Sequence, residues 1–166
     1  MLIKAYLDHN IVSAIAENNM QAEGDALARL LERNDAGEIE LATSKVAQIA
    51  IVRLKSTRRG QKVTGLYRLL EKVTFINDDH HVLDFYSHWD QFGGVSYPLV
   101  DDDYISSTLR EIGIDCSGAH HLAVAIRGGC EVFFTFDNGI LRRRSEIEGQ
   151  FQIVTVTPSD FLNELS

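Results

Sequence analysis

The sequence predicts an α/β fold in which a mainly parallel sheet is covered by helices on both faces. Short apolar runs of β-type residues alternate along the chain with segments of helical period, which is the element order that builds parallel sheets. Two of the runs, Ala5-Tyr6-Leu7 and Val132-Phe133-Phe134-Thr135-Phe136, stop on an aspartate, Asp8 and Asp137. Strand ends gather along one edge of a parallel sheet, where ligand crevices form, so two acids far apart in sequence become candidate partners for a divalent metal. A length of 166 residues, 45% hydrophobic and 24% charged, fits one domain spanning 1–166 with a sizeable core.

Each element has its own signal. The first strand covers roughly Leu2 to Leu7, and Ile11, Ile15 and Met20 mark the apolar face of the helix after it. Ala26, Leu27, Leu30 and Leu31 recur at helical spacing, with a stop over Asn34 to Gly37. Glu38 to Thr43 alternates as a strand. Ser44 is a candidate N-cap for a helix through Val46, Ile49, Val52 and Leu54, and Val63 to Leu70 reads as another helix. Val73 to Ile76 is a third strand, and Gln91 to Pro98 has the chemistry of a loop. Asp101 to Asp103 are placed to cap a helix carrying Tyr104, Ile105, Leu109 and Ile112, which stops at Gly113. Ser117 starts a helix that Gly128-Gly129 ends. The strand to Phe136 follows, then a last strand from Phe151 to Val156 and a short helix after Pro158.

Charge and cysteine usage narrow the function classes. A net charge of −8 opposes broad nonspecific attraction to nucleic acid, but the charge is uneven. Residues 41–70 carry seven basic side chains and no acid, while residues 77–103 carry seven aspartates and no Lys or Arg. One basic surface on an acidic molecule and ordinary solvated faces are both consistent with this. No basic segment followed by an apolar one opens the chain, and no span suits a membrane, so the expected location is the cytoplasm. Cys116 and Cys130 flank a helix whose rise holds them too far apart to bridge, so both are expected as free thiols.

Three stretches give the chain a resemblance to the PIN-domain family of metal-dependent nucleases: YLDHNIVSAI at 6–15, GAHHLAVAIRGG at 118–129 and VFFTFDNGIL at 132–141. The resemblance implies a three-layer α/β/α fold with a mainly parallel central sheet and acids gathered at the carboxyl edge. It also implies an endoribonuclease that uses Mg²⁺ or Mn²⁺ to hydrolyse RNA phosphodiesters, and in the toxin branch of the family an antitoxin partner. A homodimer fits the same resemblance. Asp8 and Asp137 match the first and last acidic positions, as catalytic residues and metal ligands. The family has a glutamate where this chain offers Ala50, or Gln48 in a shifted register, and an aspartate where it has Gly118. Asp115, three residues before Gly118, is the candidate replacement ligand. A PIN-like domain without catalysis, binding RNA or a protein, is the alternative reading. The haloacid-dehalogenase-like phosphatases resemble the chain less, because they want a second aspartate where Asn10 stands.

Each candidate also has a structural role to fill. Asp8 suits an N-cap and Asp137 an Asp-Asn-Gly turn. Adjacent residues on a helix point about 100° apart, so His120-His121 is expected as one packed and one exposed histidine rather than a metal pair. Asp78-Asp79-His80-His81 reads as an exposed loop or helix start. Arg142, Arg143 and Arg144 are candidates for RNA phosphate contacts or for salt bridges to Glu146 and Glu148. Trp89, Phe92 and Tyr97 suit base stacking or the anchoring of a long loop.

Overall fold

The computed structural model describes residues 2–16, 23–44, 71–76 and 104–165. In chain order these form β1 (Ile3–Leu7), α1 (His9–Ala16), α2 (Gly24–Asp35), β2 (Ile39–Ser44), β3 (Thr74–Ile76), α3 (Tyr104–Ile112), α4 (Cys116–Arg127), β4 (Val132–Phe134), α5 (Asn138–Leu141), α6 (Arg144–Phe151), β5 (Val154–Val156) and α7 (Pro158–Glu164). The helices expected after Ser44 and over 63–70, the capping aspartates 101–103, the loop at 91–98, the Asp78–His81 run, Ala50, Gln48 and the aromatics Trp89, Phe92 and Tyr97 lie outside the described residues.

All five strands are parallel, in the order β3-β2-β1-β4-β5. A parallel strand is covered on both faces and so reads as a continuous apolar run, which is why the central β1 and β4 are the most apolar segments. Alternate residues of these strands feed two cores. Ala5, Leu7, Leu41, Val132 and Phe134 pack with Ile11, Leu27, Leu30, Phe161 and Leu162 from α1, α2 and α7. Tyr6, Ala42 and Phe133 face the other way, onto Leu109, Leu122, Ile140 and Ile147 from α3, α4, α5 and α6. The result is three layers, helices on both sides of the sheet, as the alternating pattern predicts.

The chain departs from β1 first through β2 to β3 on one side, and later through β4 to β5 on the other. The reversal falls between β1 and β4. In open α/β sheets this switch point leaves a crevice beyond the carboxyl ends of the two strands. Asp8 follows β1 and Asp137 closely follows β4, and the register Tyr6↔Phe133 and Leu7↔Phe134 brings those two exits level.

Three local features differ from expectation. β4 ends at Phe134 rather than Phe136, because the Asp137 N–H turns back to the Thr135 hydroxyl and takes the chain out of the sheet. β5 begins at Val154 rather than Phe151: Phe151 is the last residue of α6, and Gln152 adopts a left-handed φ of 58° before the strand starts. The cap of α4 is Asp115 rather than Ser117, its Oδ1 accepting from the Gly118 N–H at 2.6 Å. The stops at Gly113 and Gly129 hold, with φ of 102° and 71°, values that favour glycine. Cys116 and Cys130 are both free thiols, at opposite ends of α4. No helix among the described residues is long and apolar enough to cross a membrane.

Candidate metal centre

Asp8 is the first residue past β1 and only 3% exposed. Its backbone carbonyl accepts from the Ile11 and Val12 amides and so starts α1, which leaves the carboxylate for other contacts. Oδ1 accepts from the His9 N–H at 2.7 Å, and Oδ2 accepts from the Thr135 hydroxyl at 2.7 Å. The expected N-cap is thus supplied by the main chain, and the side chain faces the neighbouring strand exit. Burial raises the pKa of the Asp8 carboxyl above the usual carboxylate value, and the nearby Asp137 charge pushes in the same direction. Among the described residues no Lys or Arg pairs with Asp8.

Thr135, fully buried, is the hub between the two strand ends. Its hydroxyl donates to Asp8 and accepts from Asn10 Nδ2 at 3.1 Å and from the Asp137 N–H at 3.0 Å, which uses the one donor and both acceptor positions of a hydroxyl. Asn10 completes the clasp, its Oδ1 accepting from the Phe136 N–H at 3.3 Å. The residue that separates this chain from a phosphatase pattern therefore ties α1 to the β4 exit. Asp137 is partly exposed and caps α5 through Oδ1, which accepts from the Gly139 N–H at 2.7 Å. Its Oδ2 has no hydrogen-bond partner among the described residues and remains available to a ligand.

The histidines differ from expectation. His120 and His121 are both buried, at 6% and 1% exposure. The reason is the setting of α4, which is buried at every residue from Gly118 to Ala125 and so has no solvent face to receive one of them. His121 shares a 3.0 Å hydrogen bond between its Nδ1 and the Tyr6 hydroxyl, while Tyr6 stacks on Phe133 with ring centroids 5.4 Å apart. Burial, reinforced by the charge of His9, pushes the pKa of His121 down to about 3, so the ring is neutral at physiological pH. The His9 ring lies nearly parallel to that of His121, with centroids 5.6 Å apart. Asp8, His9 and His121 each present a ligand atom within 4.8 Å of the others, the only such group of His, Cys, Asp or Glu among the described residues. Sequence reading missed His9, and the usable signal was its place beside a strand-end aspartate.

The remaining candidates sit around this centre. Asp115 is exposed and engaged as the α4 cap. A Cβ on Gly118 would lie 3.2 Å from Asp115 Oδ1, so the Asp115 carboxylate stands beside the point from which the family's aspartate would project. The same Cβ would meet Ile114 Cγ2 at 3.0 Å and Ile140 Cδ1 at 3.1 Å, which leaves little room for a longer side chain. Arg143 pairs with Glu146 at 3.0 Å and lies over Gly113, as the salt-bridge reading anticipates. Arg142 and Arg144 are exposed, with no ion pair among the described residues.

No protein-family model and no curated protein matches the chain. Two solved structures align with it over most of their length. A chain in the crystal structure of VapBC2 from Rickettsia felis bound to a DNA fragment from their promoter aligns with a TM-score of 0.56 at 12% identity, over 93% of this chain and 98% of that one. PAE2754 from Pyrobaculum aerophilum aligns with a TM-score of 0.49 at 14% identity, over 99% and 98% of the two chains. The first likeness, with the five-stranded parallel sheet and its two helical layers, identifies the fold as PIN-like.

Proposed function

We propose that this PIN-like domain is a divalent-metal-dependent endoribonuclease with Asp8 and Asp137 as its central acids. The observation that carries the reading is the clasp at the switch point: one buried threonine hydroxyl binds the Asp8 carboxylate and the Asp137 main chain together, beside a neutral buried imidazole. A carboxylate held in a buried position without a cation is costly, and a divalent ion offsets that cost by direct ligation. The chemistry of these acids suits such an ion: Asp8 and Asp137 would hold it, with Asp115 as a further candidate ligand.

When bound, a divalent ion lowers the pKa of water and neutralises charge on a phosphodiester. The protein's own contribution is placement. Thr135 and Asn10 hold the two strand exits at fixed separation, so the acids need no reorganisation when substrate arrives. Asp137 is partly exposed, so a substrate could reach it, and Arg142 and Arg144 are exposed cations shortly after it that would suit RNA phosphates. The setting that accompanies this reading is cytoplasmic, with RNA as substrate, a second copy of the chain as a dimer partner, and an antitoxin if the protein is a toxin.

Incubation of purified protein with labelled RNA tests the proposal. Fragments should form with Mg²⁺ or Mn²⁺, disappear with EDTA, and fall at least about 100-fold with Asp8→Asn, the loss typical of removing one essential catalytic group. Intact RNA under all conditions would favour the second reading, a binding module, which the crowding of Gly118 by Ile114 and Ile140 supports.

A further inference from the structure

We propose that His9 is a nucleobase platform, its exposed imidazole stacking on the base that flanks the scissile phosphate of a single-stranded RNA. The proposal rests on the ribonuclease reading and adds to it the part of the substrate that the acids do not touch. His9 is the first residue of α1 and follows Asp8 directly, and a nitrogen of its ring lies within 4.8 Å of an Asp8 carboxylate oxygen. A phosphodiester engaged at Asp8 carries its bases one sugar away, so a planar side chain beside Asp8 is within reach of a base.

Two features suit this ring to stacking. Its plane is set from below: the His9 N–H donates to Asp8 Oδ1 at 2.7 Å, and the ring lies 7° from parallel to that of His121, with centroids 5.6 Å apart. His121 is 1% exposed and hydrogen-bonded to Tyr6, so the inner ring of the pair belongs to the core while the outer one is exposed. The outer ring also has no task in the fold. Among the described residues His121 is its one ring neighbour, and its nitrogens make no hydrogen bond. A base laid on the outer face extends the offset parallel arrangement that aromatic pairs favour. Unstacked RNA bases are taken up in this way by Phe, Tyr, Trp or His, with little regard to sequence because every base has a π-face.

RNA binding without cleavage tests the platform. Fluorescence anisotropy of a labelled single-stranded oligoribonucleotide is measured in EDTA with the full chain carrying Asp8→Asn, so that the RNA stays whole and no carboxylate at position 8 opposes the phosphate. Adding His9→Ala should weaken binding at least about 5-fold, the loss expected of one stacked base. His9→Phe keeps a ring and removes both nitrogens, which separates stacking from ligation and hydrogen bonding, and should bind within about 2-fold of the parent. An abasic residue moved along the oligonucleotide should, at one position, cost the parent that same factor and the His9→Ala protein nothing. Equal affinity of the parent and His9→Ala, His9→Phe as weak as His9→Ala, or a parent that does not bind RNA would overturn the proposal. Cleavage by the wild type together with equal affinity would sink the platform and leave the ribonuclease reading standing. The predicted binding pattern with uncut wild-type RNA would uphold the platform and count against cleavage alone.

Discussion

The Thr135 hydroxyl donates to Asp8 Oδ2 across 2.7 Å, joining residues 127 positions apart in the chain. Because the same oxygen accepts from Asn10 and from the Asp137 amide, the two strand exits are held as one unit. The carboxyl edge of the sheet is therefore pre-shaped by a saturated hydroxyl rather than by the acids themselves.

Thr135→Val keeps the shape of the side chain and deletes the hub. It leaves a buried Asp8 oxygen, the Asn10 amide and the Asp137 N–H each short of a partner. Urea unfolding should show a loss of about 3 kcal/mol, since a hydrogen bond to a charged group contributes most of that by itself. Divalent-ion affinity should fall in parallel.

His121 makes the metal-free protein sensitive to acid. Its folded pKa of about 3 is depressed from the ordinary 6.5, so between those values the unfolded chain binds a proton that the folded chain does not. The stabilisation is fully present above pH 6.5 and is lost progressively as the pH falls toward 3. At pH 5 the loss amounts to about 2 kcal/mol at 1.36 kcal/mol per unit. In EDTA, urea unfolding of wild type should weaken between pH 7.5 and 5 by about that much more than unfolding of His121→Asn.

Asp8 has the opposite sign. Its folded pKa is raised, so the stability it contributes is present below the unfolded value of 3.8 and is lost as pH rises through the folded one. Without metal, the melting temperature of Asp8→Asn relative to wild type should rise as pH goes from 4 to 8. Addition of a divalent ion should reverse that order at neutral pH, because the ion is expected to stabilise the carboxylate form alone. A difference independent of both pH and metal would show that Asp8 is neither strained by its charge nor a ligand.

Asp115 and Gly118 separate capping from ligation. Asp115→Ala removes the α4 cap and should cost about 1 kcal/mol in thermal or urea unfolding. Gly118→Asp puts the family's acid back at its usual position but drives a side chain into Ile114 and Ile140. It should destabilise by about 1–3 kcal/mol on the same measurement, through overpacking, and should not raise metal affinity.

The sheet edge was legible in the sequence because parallel strands advertise themselves: LD and TFD are apolar runs cut off by an acid, and both acids emerge at the switch point. The imidazoles were not. His120-His121 reads as a pair about 100° apart on an ordinary amphipathic helix, which leaves one of them in water. GAHHLAVAI is instead small or apolar around its whole circumference, the pattern of a helix with no wet face, and that would have placed both residues inside. The approach of His121 to His9 depends on how α4 lies across β1, a tertiary relation that spacing along either helix does not encode. The break at Phe134 was hidden for a related reason. Phe136 continues the β-type run, but the Thr135 hydroxyl supplies the Asp137 amide with a partner that ends it.

The central claim is that the ends of β1 and β4 bind a divalent ion. Anomalous diffraction from crystals soaked in Mn²⁺, collected on either side of the manganese edge, locates that ion directly. The account predicts one strong peak beside Asp8, roughly 2.2 Å from a carboxylate oxygen as ligation by oxygen requires, and its absence from Asp8→Asn crystals. Manganese found only elsewhere on the surface, or no peak in crystals whose Asp8 remains bound to Thr135, would contradict it.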